Sequence, residues 1–332
     1  MIGLKDVPES MKAVALMSGG LDSALAAKII RLQGIDVVGL AFITPFTHPR
    51  VEKLVQSIGI EIKAIDISSG YLDVIKNPRF GFGDTMNPCI DCHIFMLKEA
   101  KGFMAEYKSD FIITGEVLAQ RPMSQNKSAL RKIEKETDLE GLLLRPLSAK
   151  LLAPTIPEQE GWVDRSKLFD FSGRSRKPQM ELASRLGLEG FGQPAGGCLL
   201  TDPGFSRRLK DLLNHQPEFN LEDIQLLKIG RHFRLSERTK LILGRNHKEN
   251  QRLIALVQSG CILLEPVEVP GPTGILKARE SSRELLKLSA CILARYCDRS
   301  NGQVSISVEA GKESRVIRCF PVKPDDLDTL RI

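Results

Sequence analysis

The sequence predicts an α/β protein, a mostly parallel sheet with helices on both faces, followed by a smaller C-terminal α+β domain. Three observations carry this. Between Ala13 and Gly115, short apolar runs alternate with helix-patterned segments, the β-α-β-α order of a parallel sheet. The chain has 332 residues, enough for about two domains. After about Pro203, short strand-like runs replace the alternation.

Residues 13–17 (AVALM) read as the first strand and end at Ser18-Gly19-Gly20. Residues 21–33 read as a helix, with apolar Leu21, Ala24, Leu25, Ala27, Ile29 and Ile30 and a closing Gly34. Residues 36–42 form the next strand, 49–58 a helix and 61–67 a third strand. A long helix spans about 89–107 and a fourth strand 110–115. Ligands of such sheets bind beyond the carboxyl ends of the strands, where Ser18-Gly19-Gly20 and Thr114-Gly115 both sit. Further on, residues 205–215 read as a basic amphipathic helix and 221–228 as a short helix capped by Asn220. Short strands follow at 241–243, 261–264, 304–308 and 315–320, with a helix near 281–296 among them. The predicted division is 1–204, a linker helix at 205–215, and 216–332.

Hydrophobic residues make up 42% and charged residues 27%, which excludes a disordered chain and a disulfide miniprotein. No apolar run reaches the ~18 residues of a membrane span. Residues 1–12 mix Lys5, Asp6 and Glu9 without an apolar stretch, unlike a secretory signal. The seven cysteines therefore read as thiols of a cytoplasmic protein. The net charge of +6 permits a nucleic-acid partner without requiring one.

Ser18-Gly19-Gly20-Leu21-Asp22-Ser23 lies between a strand and a helix. Glycines let backbone approach an oxyanion, and a helix start aims unpaired N–H groups at it. Ser18 and Ser23 add hydroxyl donors. Asp22 beside a phosphate needs a cation between them, which suggests Mg2+. A plain strand-helix turn is the competing reading. The segment resembles the Ser-Gly-Gly-x-Asp-Ser signature of the PP-loop ATP pyrophosphatases, matching at every position. The resemblance implies that Ser18, Gly19, Gly20, Asp22 and Ser23 bind ATP with Mg2+. It adds Phe42, Thr114 and Gly115 at neighbouring strand ends, and an adenine-nucleotide alpha hydrolase-like fold.

Thr114-Gly115-Glu116-Val117-Leu118-Ala119-Gln120, followed by Arg121-Pro122-Met123-Ser124-Gln125, is similar to the Thr-Gly-Glu-x-x-Gly-Gln-x-x-Ser-Gln segment of tRNA 4-thiouridine synthetases. Ala119 replaces the usual Gly, and one extra residue precedes Ser124. Gln120, Arg121, Ser124 and Gln125 become candidates for reading a nucleotide or base. A polar loop capping the next helix is the alternative.

Asn87-Pro88-Cys89-Ile90-Asp91-Cys92-His93 puts Cys89 and Cys92 on one helix face. Cys198 follows glycines far downstream. Three thiolates can hold three irons of a 4Fe-4S cluster and leave the fourth open. Two of the thiols can form a persulfide carrier and its resolving partner. They can also be inert, or bind zinc with His93. In the resembled thiolation enzymes, Cys92 and Cys198 match the two cysteines, and Cys89 matches the subgroup that uses a cluster, so the resemblance favours a 4Fe-4S cluster on Cys89, Cys92 and Cys198 over the persulfide pair. Cys261, Cys291, Cys297 and Cys319 lie in apolar patterns and read as core.

Leu241-Ile242-Leu243-Gly244-Arg245-Asn246-His247-Lys248-Glu249-Asn250 resembles the Val-Gly-Arg-Asn-x-x-x-Asn motif of the RNA-binding domain of NFACT ribosome-rescue proteins. Residues 271–276 add to that likeness. Arg245 and Lys248 are candidates for phosphates, Asn246 and Asn250 for a base or sugar. A capping loop is the plain alternative. Arg207, Arg208, Arg231, Arg234 and Arg238 cluster near the domain boundary. Lys127, Arg131 and Lys135 share one face of a helix expected after Gln125. Residues 173–177 read as a solvated basic loop.

The resemblance implies tRNA thiolation in two steps. A uridine carbonyl oxygen takes AMP from ATP with release of pyrophosphate, then sulfur displaces AMP. Departures concern the target and the sulfur source. No RNA-binding region is expected before the first strand, and no sulfurtransferase domain with its own cysteine is expected after the loop. Sulfide or a partner sulfurtransferase would supply the sulfur. The alternatives are an adenylating enzyme for a small molecule and a non-enzymatic RNA- or ribosome-binding module.

Overall fold

The computed structural model describes residues 11–191, 198–257, 260–278, 282–298 and 302–332. They fall into two compact units that divide between residues 199 and 200.

The first unit is built on five parallel strands: β1 (Lys12–Leu16), β2 (Asp36–Ile43), β3 (Ile62–Asp66), β4 (Phe111–Ile113) and β5 (Leu143–Leu144), in the order β3-β2-β1-β4-β5. β1 is central, with Ala13 in register with Val37 on one side and Phe111 on the other. Its alternate residues feed two cores, as the period of two requires. Ala13 and Ala15 join Leu25 and Ile30 of α1 (Leu21–Arg31) on one face. Val14 joins Ile94, Leu97 and Ala100 on the other. A strand covered on both faces must be apolar throughout, which explains the AVAL run.

The helices on this sheet continue with α2 (Ser68–Lys76), α3 (Cys89–Tyr107), α4 (Lys127–Thr137) and α5 (Lys177–Arg185). Asn126 caps α4 by accepting from the Ala129 amide at 2.9 Å. α2, α5 and β5 have no counterpart in the sequence reading. The helix expected at 49–58 is only a short helix, Glu52–Leu54, running into a π turn, Val55–Gly59. Its expected start is used otherwise, because the Arg50 backbone packs against Gly19.

β2 and β3 extend the sheet on one side of β1, and β4 and β5 on the other. The strand order reverses between β1 and β4, and ligands of such sheets bind in the crevice beyond the strand ends at that point.

The second unit holds an antiparallel sheet of β6 (Arg231–Ser236), β7 (Thr239–Leu243), β8 (Cys261–Pro266), β9 (Gly274–Ala278), β10 (Val304–Ala310) and β11 (Glu313–Cys319), ordered β11-β10-β8-β9-β7-β6. α6 (Pro203–His215) and α7 (Leu221–Leu227) precede it, and α8 (His247–Ala255) follows β7. α9 (Arg283–Ala294) packs Leu286, Ala290 and Leu293 into the core with Leu241, Leu264 and Ile306. α6, expected as a linker, is part of this unit: its Asp211 pairs with Arg234 and Lys240 of the sheet. β6 and β9 were not foreseen. No described helix is long and apolar enough to cross a membrane.

Candidate functional site

The Ser18–Ser23 loop leaves β1 and enters α1. Gly19 has φ +78°, and a Cβ there would lie 2.9 Å from backbone atoms of Arg50. The Ser23 hydroxyl donates to the Gly20 carbonyl at 3.0 Å and accepts from the Ser18 amide at 3.2 Å. This folds the loop back on itself. Gly20 is the helix N-cap and brings no capping side chain. The first-turn N–H groups are thus left for an anion.

β4 ends directly against this turn. A Cβ on Gly115 would run into the backbone of Asp22 and Ser23, so only glycine allows the two segments to meet. Thr114 donates to Glu116 Oε2 at 3.0 Å, and Arg145 Nε reaches the same oxygen at 2.8 Å. His93 Nδ1 lies 2.7 Å from Glu116 Oε1.

Asp22 accepts from Gln120 Nε2 at 3.1 Å through Oδ2, while its Oδ1 is buried without a partner. Burial raises its pKa, against the Gln120 hydrogen bond and the charges of Arg176 and Arg121. A buried, unpartnered carboxylate oxygen beside a helix N-terminus fits a Mg2+ ligand. Gln120, expected to read a nucleotide, is here committed to Asp22. Arg176 was assigned to a solvated loop. That loop is fastened by the Gly173 amide to the Leu118 carbonyl at 2.8 Å, and Arg176 Nε is buried without a partner.

Ala119 has φ +60°, a conformation that favours glycine. It occupies the motif position where the resembled enzymes carry Gly. Its amide donates to Gln125 at 2.7 Å and closes a tight loop. Ser124 Oγ and Gln125 Oε1 are buried without partners, and Arg121 is exposed. The Phe42 side chain belongs to the core cluster that contains Ile67 and Ile94.

Cys89 opens α3 and accepts from Asn87 Nδ2 at 3.2 Å. Asn87 also contacts Met123 Sδ at 3.9 Å, which joins the cysteine segment to the Thr114–Gln125 loop. Cys92 meets the Tyr71 hydroxyl. Burial pushes the Cys92 thiol up to about 12, with Cys198 and Cys89 adding to the rise and Tyr71 opposing it. All three thiols bear on Tyr71, so they share one neighbourhood. The Leu199 amide bonds the Phe46 carbonyl at 3.2 Å, and the Phe46 ring lies 5.7 Å from that of Tyr71. Residues 192–197, the glycine approach to Cys198, lie outside the described residues. None of the seven cysteines forms a disulfide. No three described His, Cys, Asp or Glu are arranged as a metal site. Tyr71 was missed because α2 was missed; Tyr71, Val74 and Ile75 carry helical spacing that would have exposed it.

In the second unit, Asn246 caps α8 by accepting from the Glu249 amide at 3.0 Å, and Arg245 is ion-paired with Glu249 at 2.5 Å. Both therefore serve the turn that leads from β7 into α8. Lys248 is exposed, and Asn250 Nδ2 bonds the Gly271 carbonyl at 3.3 Å. Arg231 stacks 4.6 Å over Tyr296.

Comparison with known proteins bears on both units. Residues 9–150 match the family described as thiamine biosynthesis protein (ThiI), and residues 230–331 match the NFACT protein RNA binding domain. The tRNA-specific 2-thiouridylase MnmA of Karelsulcia muelleri (strain GWSS) is 30% identical over 135 residues, covering 37% of this chain and 35% of that protein. The MnmA of Listeria welshimeri is 24% identical over 229 residues, covering 62% and 57%. The chain thus spans between about a third and three-fifths of these relatives. A crystal structure of a 4-thiouridine synthetase–RNA complex with bound ATP is 20% identical with a TM-score of 0.38, covering 66% of this chain and 52% of that one. The first unit is thus similar to the ThiI family over residues 9–150, and the second to the NFACT RNA-binding domain over residues 230–331.

Proposed function

We propose that this protein thiolates a uridine of tRNA at the expense of ATP. The observation that carries the reading is the meeting of the Ser18–Ser23 turn with Gly115, on a domain whose Cys89, Cys92 and Cys198 share the neighbourhood of Tyr71. A phosphate turn supplies activation and a thiol group supplies sulfur chemistry.

The α1 amides hold the phosphates of ATP. Asp22, through its unpartnered Oδ1, is the residue that would hold Mg2+, which neutralises phosphate charge when bound. A uridine carbonyl oxygen attacks the α-phosphorus, and pyrophosphate leaves. Arg176 and Arg121 supply positive charge near Asp22. Carbonyl oxygen is a poor leaving group and AMP a good one, so the base carbon becomes open to displacement.

The sulfur step runs on the thiols. A persulfide on Cys92 or Cys198, loaded with sulfane sulfur from the persulfide of a partner sulfurtransferase whose own thiol is released, attacks the activated carbon, and AMP leaves with the former carbonyl oxygen. The other thiol attacks the carrier cysteine's sulfur. The S–S bond to the base breaks, the base keeps its sulfur as a thione, and the two cysteines close as a disulfide for a cellular dithiol to reduce. Three thiolates also suit three irons of a 4Fe-4S cluster, which Cys89, Cys92 and Cys198 would hold. A cytoplasmic location suits a tRNA substrate.

Nucleoside mass spectrometry of total tRNA, with and without the gene, tests the proposal. Loss of one thionucleoside is the expected result. Persistence of every thionucleoside overturns it in favour of a small-molecule acceptor.

A further inference from the structure

One face of α4 has no part in this account. Lys127, Arg131 and Lys135 recur every fourth residue, and all three are exposed. At ~1.5 Å rise per residue, successive charges stand ~6 Å apart along the helix. The acids of the same helix are engaged elsewhere: Glu134 pairs with buried Arg145, and Glu136 pairs with Arg79 at 2.7 Å. Lys132, the remaining cation of α4, lies 4.6 Å over the Phe80 ring. The stripe is thus a row of cations without an acid among them.

Two further observations give the row a direction. Lys127 is the first residue of α4, and the first turn holds no acid. A cation there opposes the helix dipole, and such a local conflict marks a position that serves something other than the helix. α4 also starts directly after Ser124 and Gln125, whose Oγ and Oε1 are buried without partners. Exposed Arg121 lies on the same loop.

We propose that Lys127, Arg131 and Lys135 dock the phosphate backbone of the RNA strand that presents its target nucleotide to the Gly115–Gln125 loop. This rests on the thiolation reading. The occupant follows from charge: evenly spaced, solvated cations match successive phosphates, and they impose register without reading sequence.

The test titrates the full chain with an unmodified tRNA transcript over a range of KCl concentrations. The wild type is compared with the triple variant Lys127→Gln, Arg131→Gln, Lys135→Gln, and with the charge-keeping pair Lys127→Arg, Lys135→Arg. Each lost phosphate contact removes about 0.7–0.9 from the slope of log affinity against log salt. The triple variant is expected to lose roughly 2 to 3 units of slope and at least tenfold in affinity at physiological salt. The charge-keeping pair retains the wild-type slope. Thermal melting verifies that each variant is folded. A triple variant with the wild-type slope overturns the dock and leaves the thiolation reading standing. A wild type that binds no tRNA overturns both.

Discussion

His93 Nδ1 lies 2.7 Å from Glu116 Oε1, and this contact ties the helix that carries Cys89 and Cys92 to the segment that follows β4. Glu116 is buried and also receives Thr114 and Arg145. Burial by itself would raise its pKa. The Arg145 charge and the His93 hydrogen bond overcome this and hold the carboxyl well below the usual range. Arg145, only 2% exposed, pairs among the described residues with one further acid, Glu134. Glu116→Ala leaves that guanidinium short of a partner and is expected to cost about 3 kcal/mol. The urea midpoint of unfolding measures it, and an unchanged midpoint would mean that the pair carries no stability.

Ala119 gives a prediction of opposite sign. Its φ of +60° strains a residue with a Cβ. Ala119→Gly relieves that strain while loosening the unfolded chain, so a net gain of roughly 0.5–1 kcal/mol is expected. Calorimetry would register it as a melting temperature about 2 °C higher.

Asp211 holds two cations of the second unit, Arg234 at 2.6 Å and Lys240 at 2.9 Å. Burial acts to raise the Asp211 pKa, but Arg234 and Lys240 pull it down to about 2. Burial lowers Lys240 to about 8. Asp211→Asn strands both cations and is expected to destabilise the unit by about 3 kcal/mol. The pH dependence follows from both groups. The carboxylate's contribution is complete above its unfolded pKa of about 3.9 and is lost as the pH falls towards the folded value. For Lys240, the unfolded chain binds more protons than the folded one from pH 8 upward to its unfolded value, so stability rises with pH across that window. Unfolding followed from acid to alkaline pH checks both signs.

Cysteine substitutions separate the sulfur chemistries. Cys92→Ala and Cys198→Ala are expected to lower tRNA thiolation by roughly two orders of magnitude or more, while RNA-dependent pyrophosphate release persists. Cys89→Ala is expected to retain thiolation, because the carrier and resolving thiols remain. Loss as deep as in the other two variants would require all three thiols together, as a cluster does.

The helix that bears Cys89 and Cys92 was legible in the sequence from end to end, because its apolar positions recur with helical period. The β1 turn was equally legible, since Gly19 and Gly20 between an apolar run and a helix pattern leave few alternatives. The second-unit strands β6 and β9 were not. β6 reads RHFRLS, and its arginines resemble a surface cluster until Asp211 and Tyr296 are seen to receive them.

What the sequence determined by itself is local: the strand-helix alternation, the Ser18–Ser23 turn and the cysteine spacing, all set by period and by the backbone freedom of glycine. What only the tertiary structure decided is which distant segments meet. Gly115 against Asp22 and Ser23, Gln120 on Asp22, and Tyr71 among three thiols depend on strand order and on contacts between segments far apart in the chain; Gln120 and Asp22 are 98 residues apart. No periodicity encodes such pairings, because the free energy that selects them comes from burying both sides of the β1 sheet at once.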